Sequence, residues 1–415
     1  MAGLPIAVVP HPVAKLPPSG VAEIADEAID QIVHMLEAEA GELAEECRNR
    51  PLPKRGRMRY RSLFEGDFNA PGAPERISGP DSPEALNRVF YQRGWTDGLP
   101  FVAPTPDRWD AMLGGRDPEE EIGFIEPRLG LATVGKVAAN AVMAGATPAM
   151  MPTILAATRA MTAERLNLKA LQSTTHPCGL LTVVHGPMAE ELDVASGTNC
   201  MGQGAHANAA IGRAVRLVLN NIGGAQPAVL DRATMGTPAK YSYCFAENLE
   251  ANPWAAFHTE CGFDAEQDAV TLCGVEGPHN VNDHYSETAE DVLLTICGTM
   301  ATPGCNNSYF HGEYLVVIGP EHAEVIAREG WSKEDVERFI IERAIIPRWH
   351  IGKAQMALYR QQVPERFVGP DGRDGVRIVS EREQLMIMVA GGAGRHSCVI
   401  PSFGSTLSVT EAIRD

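Results

Sequence analysis

Three stretches of the chain repeat one pattern, an apolar run that reaches Gly-Pro and, in two of the three, passes straight into a run of helical spacing. Leu180-Leu-Thr-Val-Val-His ends at Gly186-Pro187 ahead of residues 188–192, and Tyr314-Leu-Val-Val-Ile ends at Gly319-Pro320 ahead of residues 321–328. A shorter run at 270–272 leads to Gly277-Pro278, and Leu385-Met-Ile-Met-Val-Ala runs into the glycine loop Gly391-Gly-Ala-Gly-Arg-His-Ser. Short continuous apolar runs fit strands buried on both faces. Glycine frees the strand end, and proline suits the first helical turn. The pattern predicts an α/β fold: a layered sheet with helices, its strands ending in Gly-Pro or glycine-rich loops, with polar loops gathered along one edge.

Helical spacing recurs elsewhere. Ile24, Ala28, Ile32, Met35 and Leu36 keep it within 21–39, Asp81-Ser-Pro-Glu starts a helix expected to reach Arg93, and further helices are expected over 107–113, 133–144, 150–161, 209–221 and 287–300. Before them lie an apolar strand at 6–9 and a His11-Pro12 turn, and residues 49–79 are rich in Arg, Pro and Gly. The expected organisation is a strand-helix remnant at 1–48, a linker or wrapping arm at 49–80, and a main α/β catalytic domain of one or two lobes at 81–415. The remnant is either an arm packed on the main domain or a fragment completed by another chain.

Composition narrows the function. At 415 residues, 44% hydrophobic and 21% charged, the chain can bury a large core. No apolar run is long enough to span a bilayer and no signal-like segment opens the chain, so no membrane partner and a cytoplasmic location are expected. A formal charge of −18 argues against nucleic acid, which requires a basic surface. The nine cysteines are odd in number and include no Cys-x-x-Cys pair, unlike a disulfide framework or a zinc ribbon. Ser196-Gly-Thr-Asn-Cys-Met-Gly-Gln-Gly precedes a helix, but its glycines do not have phosphate-loop or dinucleotide spacing, so no nucleotide cofactor is expected.

Candidate chemistry is densest in Cys273-Gly-Val-Glu-Gly-Pro-His-Asn-Val-Asn-Asp-His284, read as a loop between a strand and a helix. His279, Asp283 and His284 form the expected catalytic core, and a loop can bring both imidazoles to one ion, zinc or iron. His258 is a further candidate ligand and Glu260 a further acid or base. Glu247-Asn248 beside Pro253-Trp254 is read as the lining of a small polar pocket. Cys178, two residues after His176, is a candidate nucleophile or small core residue. Arg395 and His396 are expected to anchor a small polar or acidic substrate, with Asn282, Asp97 and Arg213 as further binding candidates. Asp97 can equally serve an Asp-Gly turn, its carboxylate bonding local amides.

Several stretches together resemble a bacterial family, the large and poorly characterised one associated with UGSC-motif (seleno)proteins: Trp95-Thr-Asp-Gly-Leu-Pro, Asn208-Ala-Ala-Ile-Gly-Arg-Ala-Val-Arg-Leu, Asn221-Ile-Gly-Gly, Lys240-Tyr, Ala246-Glu-Asn, Glu276-Gly-Pro-His-Asn-Val-Asn-Asp-His and Gly330-Trp-Ser. The resemblance covers about residues 85–415. Such proteins are often found with, or fused behind, a small thiol or selenol domain carrying Cys/Sec-Gly-Ser-Cys. Residues 8–12 and the helix after them look like the end of that domain, but the motif is absent here. The resemblance therefore implies a separate UGSC-type subunit, or loss of that half of the chemistry; self-association is the other partner expected. The expected function is the large subunit of a small-molecule lyase or hydrolase acting on a polar carbon–heteroatom bond, carbon–sulfur included, by His/carboxylate or metal-assisted chemistry. An oxidoreductase working with a partner's thiol and a non-catalytic substrate-binding or scaffold subunit are the alternatives.

Overall fold

The computed structural model describes residues 18–39, 43 and 78–414, and the chain divides into two compact units, residues 1–59 and 60–415. In the first, the expected helix spans Pro18–Glu37 and leaves Val21, Ile29, Ile32, Val33 and Leu36 exposed. The strand expected at 6–9 and nearly all of the linker expected at 49–80 lie outside the described residues.

In the second unit the strands among the described residues are, in chain order, β1 (Glu121–Ile125), β2 (Gly130–Thr133), β3 (Gly179–His185), β4 (Cys244–Ala246), β5 (Ala269–Val275), β6 (His279–Asn282), β7 (Tyr314–Ile318), β8 (Ile345–Pro347), β9 (Phe367–Val368), β10 (Gly375–Arg377), β11 (Leu385–Val389), β12 (His396–Pro401) and β13 (Val409–Ala412). Two mixed sheets organise the unit, in the orders β4-β3-β5-β13 and β11-β7-β12-β6. Leu181, Val183, Phe245 and Cys273 of the first meet Leu315, Val317, Met386, Met388 and Ile400 of the second in one apolar layer. Alternate residues point the other way. Leu180 and Val184 pack with side chains of the helices Val134–Ala144, Met151–Ala160 and His206–Asn221, and Val316, Ile318 and Ile387 with those of Ala289–Met300, Pro320–Arg328 and Lys333–Arg343. The layers therefore run helix, sheet, sheet, helix, which is why these strands are apolar on both faces. Each Val, Leu or Ile so buried contributes about 1.5–3 kcal/mol.

The two sheets are built alike. In each, a central strand ending at Gly-Pro (β3, β7) is parallel to one neighbour (β4, β11) and antiparallel to the other (β5, β12). The fourth strand is exchanged: β6 follows β5 in the chain yet pairs with β12, and β13 follows β12 yet pairs with β5. The halves cross where Val275 bridges Ser402, Glu276 N–H donates to Pro401 O (2.8 Å) and Phe403 N–H donates to Gly274 O (2.9 Å). Aligning Gly186-Pro187 with Gly319-Pro320 sets Val183 against Val316, and the registers agree, Val183 facing Thr271 and Val316 facing Val399. Both glycines admit a close backbone approach, and Gly186 also has φ +81°. A Cβ at Gly186 would lie 2.7 Å from Gln267 O, and one at Gly319 would collide with His396 O.

One expectation is corrected here. The polar stretch centred on His279 is not a strand-to-helix loop throughout, because His279–Asn282 forms β6, an edge strand held by β12. The ladder offered by β12 outweighs the poor strand propensity of two asparagines.

Candidate metal centre

Among the described residues, the most convergent donors stand at the rim of the layer between the sheets. β3 ends in His185. Its parallel register with β4 pairs Val184 with Ala246, so the next residue on each strand, His185 and Glu247, project from the same face side by side. The short helix Phe257–Glu260 then lays His258 over His185, ring centroids 5.0 Å apart. All three residues are buried, at 3%, 6% and 1% exposure, and each offers one ligand atom within 4.8 Å of the other two.

The atoms left without a partner identify the arrangement. His185 Nδ1, Glu247 Oε1 and His258 Nδ1 are all buried and accept or donate nothing, which is expensive for polar atoms unless something else satisfies them. Each side chain's other polar atom is fixed. Glu247 Oε2 accepts from the amide of Phe257 (2.8 Å). His258 Nε2 faces the carbonyls of Asp264 (3.2 Å) and Ala265 (3.3 Å), which only accept, so that nitrogen bears the proton and Nδ1 keeps its lone pair. His185 Nε2 meets Thr271 Oγ1 at 2.8 Å. Burial, and then the neighbouring His185, push the pKa of His258 down, favouring the neutral imidazole a metal needs. This buried His-Glu-His group can hold a metal ion. Val184, Gly186, Ala189 and Leu249 complete the lining of a small pocket against it.

The second half places apolar residues at the equivalent positions. Ile318 and Val389 pair in the register where the first half places His185 beside Glu247, and Val399 stands where Thr271 does.

Of the catalytic, metal and substrate-binding candidates singled out from sequence, His258 belongs to the cluster and the others do not. His279 and His284 lie toward opposite ends of the β6 ladder: His279 pairs with Val399, whereas His284 packs its ring on His396, at 5.0 Å, near the Asn282 pair. Among the described residues the donors gathered within reach of one ion are those of His185, Glu247 and His258, and neither His279 nor His284 is among them. Asp283 spends both oxygens on local bonds from Tyr285, Ser286 and Thr295. Asn282 is an exposed strand residue. Glu260 turns away from His258 to pair with Lys333.

The expected anion anchors are already engaged. Arg395 donates to Ser286 O (2.7 Å) and pairs with Glu287 (3.0 Å), and His396 Nδ1 lies 2.9 Å from Asn280 Oδ1. Asp97 and Arg213 satisfy each other in a bidentate pair at 2.7 and 2.9 Å, while Asp97 also accepts from Leu99 N–H, the turn bond anticipated for it. Burial pushes the Cys178 thiol up to about 12, which suits a core residue and leaves no thiolate at neutral pH. His176 pairs with Glu276 at 2.8 Å, apart from the cluster.

Sequence reasoning placed Glu247 only among pocket-lining residues and left His185 without a role. The available signal was a histidine closing a strand whose only other polar residue is Thr182. Among the described residues no helix is long and apolar enough to cross a membrane. No family model matches the chain, and none of the curated proteins does.

Proposed function

We propose that the protein is a metal-dependent enzyme in which His185, Glu247 and His258 hold a divalent transition ion, zinc or iron, for hydrolytic or eliminative cleavage of a polar carbon–heteroatom bond in a small substrate. The observation that carries this reading is the convergence of three unpartnered buried donor atoms whose side chains are each anchored through another atom. Two neutral imidazoles and one carboxylate suit zinc or ferrous iron, and leave positions on the ion for water or substrate. Bound there, the ion would supply an activated water or a polarised oxygen. The pocket is small and its other walls are aliphatic, which favours a compact substrate or a small part of a larger one.

The buried cysteines offer little support for a thiol-redox reaction, because burial pushes the thiols of Cys178, Cys244, Cys297, Cys305 and Cys398 up to about 12; Cys261 is free and exposed. The tightness of the site supports a second reading, in which the ion is structural.

Elemental analysis of untagged protein tests the site. Near-stoichiometric metal is expected in the wild type and in His279→Ala, with loss in His185→Ala and Glu247→Gln. Wild-type protein that carries no metal and takes up none after chelation and reloading would overturn the reading. A loaded protein that stabilises on metal binding but turns over none of a panel of esters, amides and β-eliminable substrates would decide for the structural ion.

A further inference from the structure

His185 has two possible tautomers, and only one serves a metal. Its Nδ1 is the buried atom left without a hydrogen-bond partner, 3.4 Å from Glu247 Oε2, and a proton there would take up the lone pair that a metal needs. A proton on Nε2 leaves Nδ1 free. What stands at Nε2 therefore decides whether the site exists, and the group there is the hydroxyl of Thr271 at 2.8 Å.

Thr271 is fully buried on β5, and its register explains the contact. His185 faces Ala269 across the β3–β5 ladder, so Thr271 is the diagonal neighbour on the same face. A threonine hydroxyl can accept from the imidazole while donating its own proton onward. The onward partner is Thr410 Oγ1 at 2.9 Å, directly opposite Thr271 in the β5–β13 pairing. Thr410 belongs to the exchanged strand, which the chain delivers to this sheet from its far end. With the protons ordered His185 Nε2–H to Thr271 to Thr410, Thr271 is held as an acceptor and the metal-binding tautomer is fixed. No equivalent relay is possible in the second half, where Val399 replaces Thr271.

We infer that Thr271 and Thr410 are positioning residues for the metal centre, forming a hydroxyl relay across β3, β5 and β13 that holds the His185 proton on Nε2. The inference rests on the metal reading proposed above and adds the means by which one ligand is kept competent. Groups behind a metal-bound histidine commonly change metal affinity by 10- to 100-fold when removed. Valine matches threonine in shape and strand preference, so Thr→Val removes the hydroxyl with little change in packing.

The test uses the full chain, stripped of metal and titrated with Co²⁺, reading affinity and the visible absorption of the bound ion. Thr271→Val is expected to weaken Co²⁺ binding 10- to 100-fold and to alter the spectrum. Thr410→Val is expected to weaken it several-fold, with Thr410→Ser restoring wild-type values, while the apo proteins keep the wild-type circular dichroism. Affinities within twofold of wild type and unchanged spectra in both valine variants would overturn the relay while leaving the metal site standing. Should Thr271→Val fail to fold, the half-buried Thr410 decides the matter through its valine and serine variants. Wild-type protein that binds Co²⁺ no better than His185→Ala would instead remove the metal reading itself, and the relay with it.

Discussion

Asp283 accepts from the amides of Tyr285 (3.2 Å) and Ser286 (3.0 Å) and from the hydroxyls of Ser286 and Thr295 (2.7 Å each). Burial pushes its carboxyl pKa up, but these bonds outweigh burial and hold it at about 2, below the ordinary 3.8. A depressed carboxyl stabilises the fold fully above the unfolded value, and that contribution fades as pH falls from about 4 through 2. It is worth about 2 kcal/mol. Asp283→Asn should lose roughly that amount in urea unfolding at pH 7, and the difference from wild type should shrink toward pH 2. An asparagine variant as stable as wild type at pH 7 would show that the carboxylate is not committed to this turn. The case shows why single residues were only partly legible. A carboxylate between two histidines reads as chemistry until its local donors are known, whereas His185, closing an apolar strand, reads as core until Glu247 and His258 arrive from other elements. His258 was legible because a histidine and a glutamate on one short polar turn already suggest a site.

Elements were more legible than residues, because caps and strand ends act locally. Ser82 caps the helix Pro83–Arg93, and Gly94 closes it with φ 70°, much as Asp81-Ser-Pro-Glu had indicated. The Gly-Pro strand ends were legible too, though the reason for their glycines was not. Gly319 has φ −70° and ψ 153°, open to any residue, so it is required only by the close approach of His396 O. Gly330 is the converse, with φ +78° and nothing within 4 Å of an added Cβ. Gly319→Ala should therefore cost about 2 kcal/mol or more, through displacement of one strand from another, and Gly330→Ala about 1 kcal/mol, through backbone strain alone. Urea unfolding of the two variants checks the order, and the reverse ranking would mean that the β7–β12 contact yields easily. β6 was missed because its pairing comes entirely from β12, which lies more than a hundred residues away.

At the scale of the whole second unit, the exchange of fourth strands governs how stability is shared. A duplicated fold whose halves each kept four strands could open one half at a time. Here β6 and β13 each complete the other half's sheet, and Leu181, Val183 and Phe245 share one apolar layer with Leu315, Val317 and Met386. Glu313, just before β7, accepts from Ser408 N–H (2.6 Å) and Ser408 Oγ–H (2.9 Å), fastening the segment that leads into β13 to the second half. Removing either sheet would strip an edge from the other and expose the layer between them. That arrangement was not legible because the exchanged strands, His-Asn-Val-Asn and Val-Thr-Glu-Ala, share no pattern, and the Gly-Pro repeat marks only the strands that stay at home. Opening of the two sheets should therefore be one event. Native-state hydrogen exchange is expected to give the central amides of β3, β5, β7 and β12 a common opening free energy, close to that for global unfolding. Their response to urea should also match, since each opening exposes the same surface. Two classes of amide, divided by sheet and separated by more than about 2 kcal/mol, would mean that the halves open independently and that the exchanged strands are released at little cost. In that case the Thr410 end of the relay would come away with the first sheet's edge while the second sheet stayed intact.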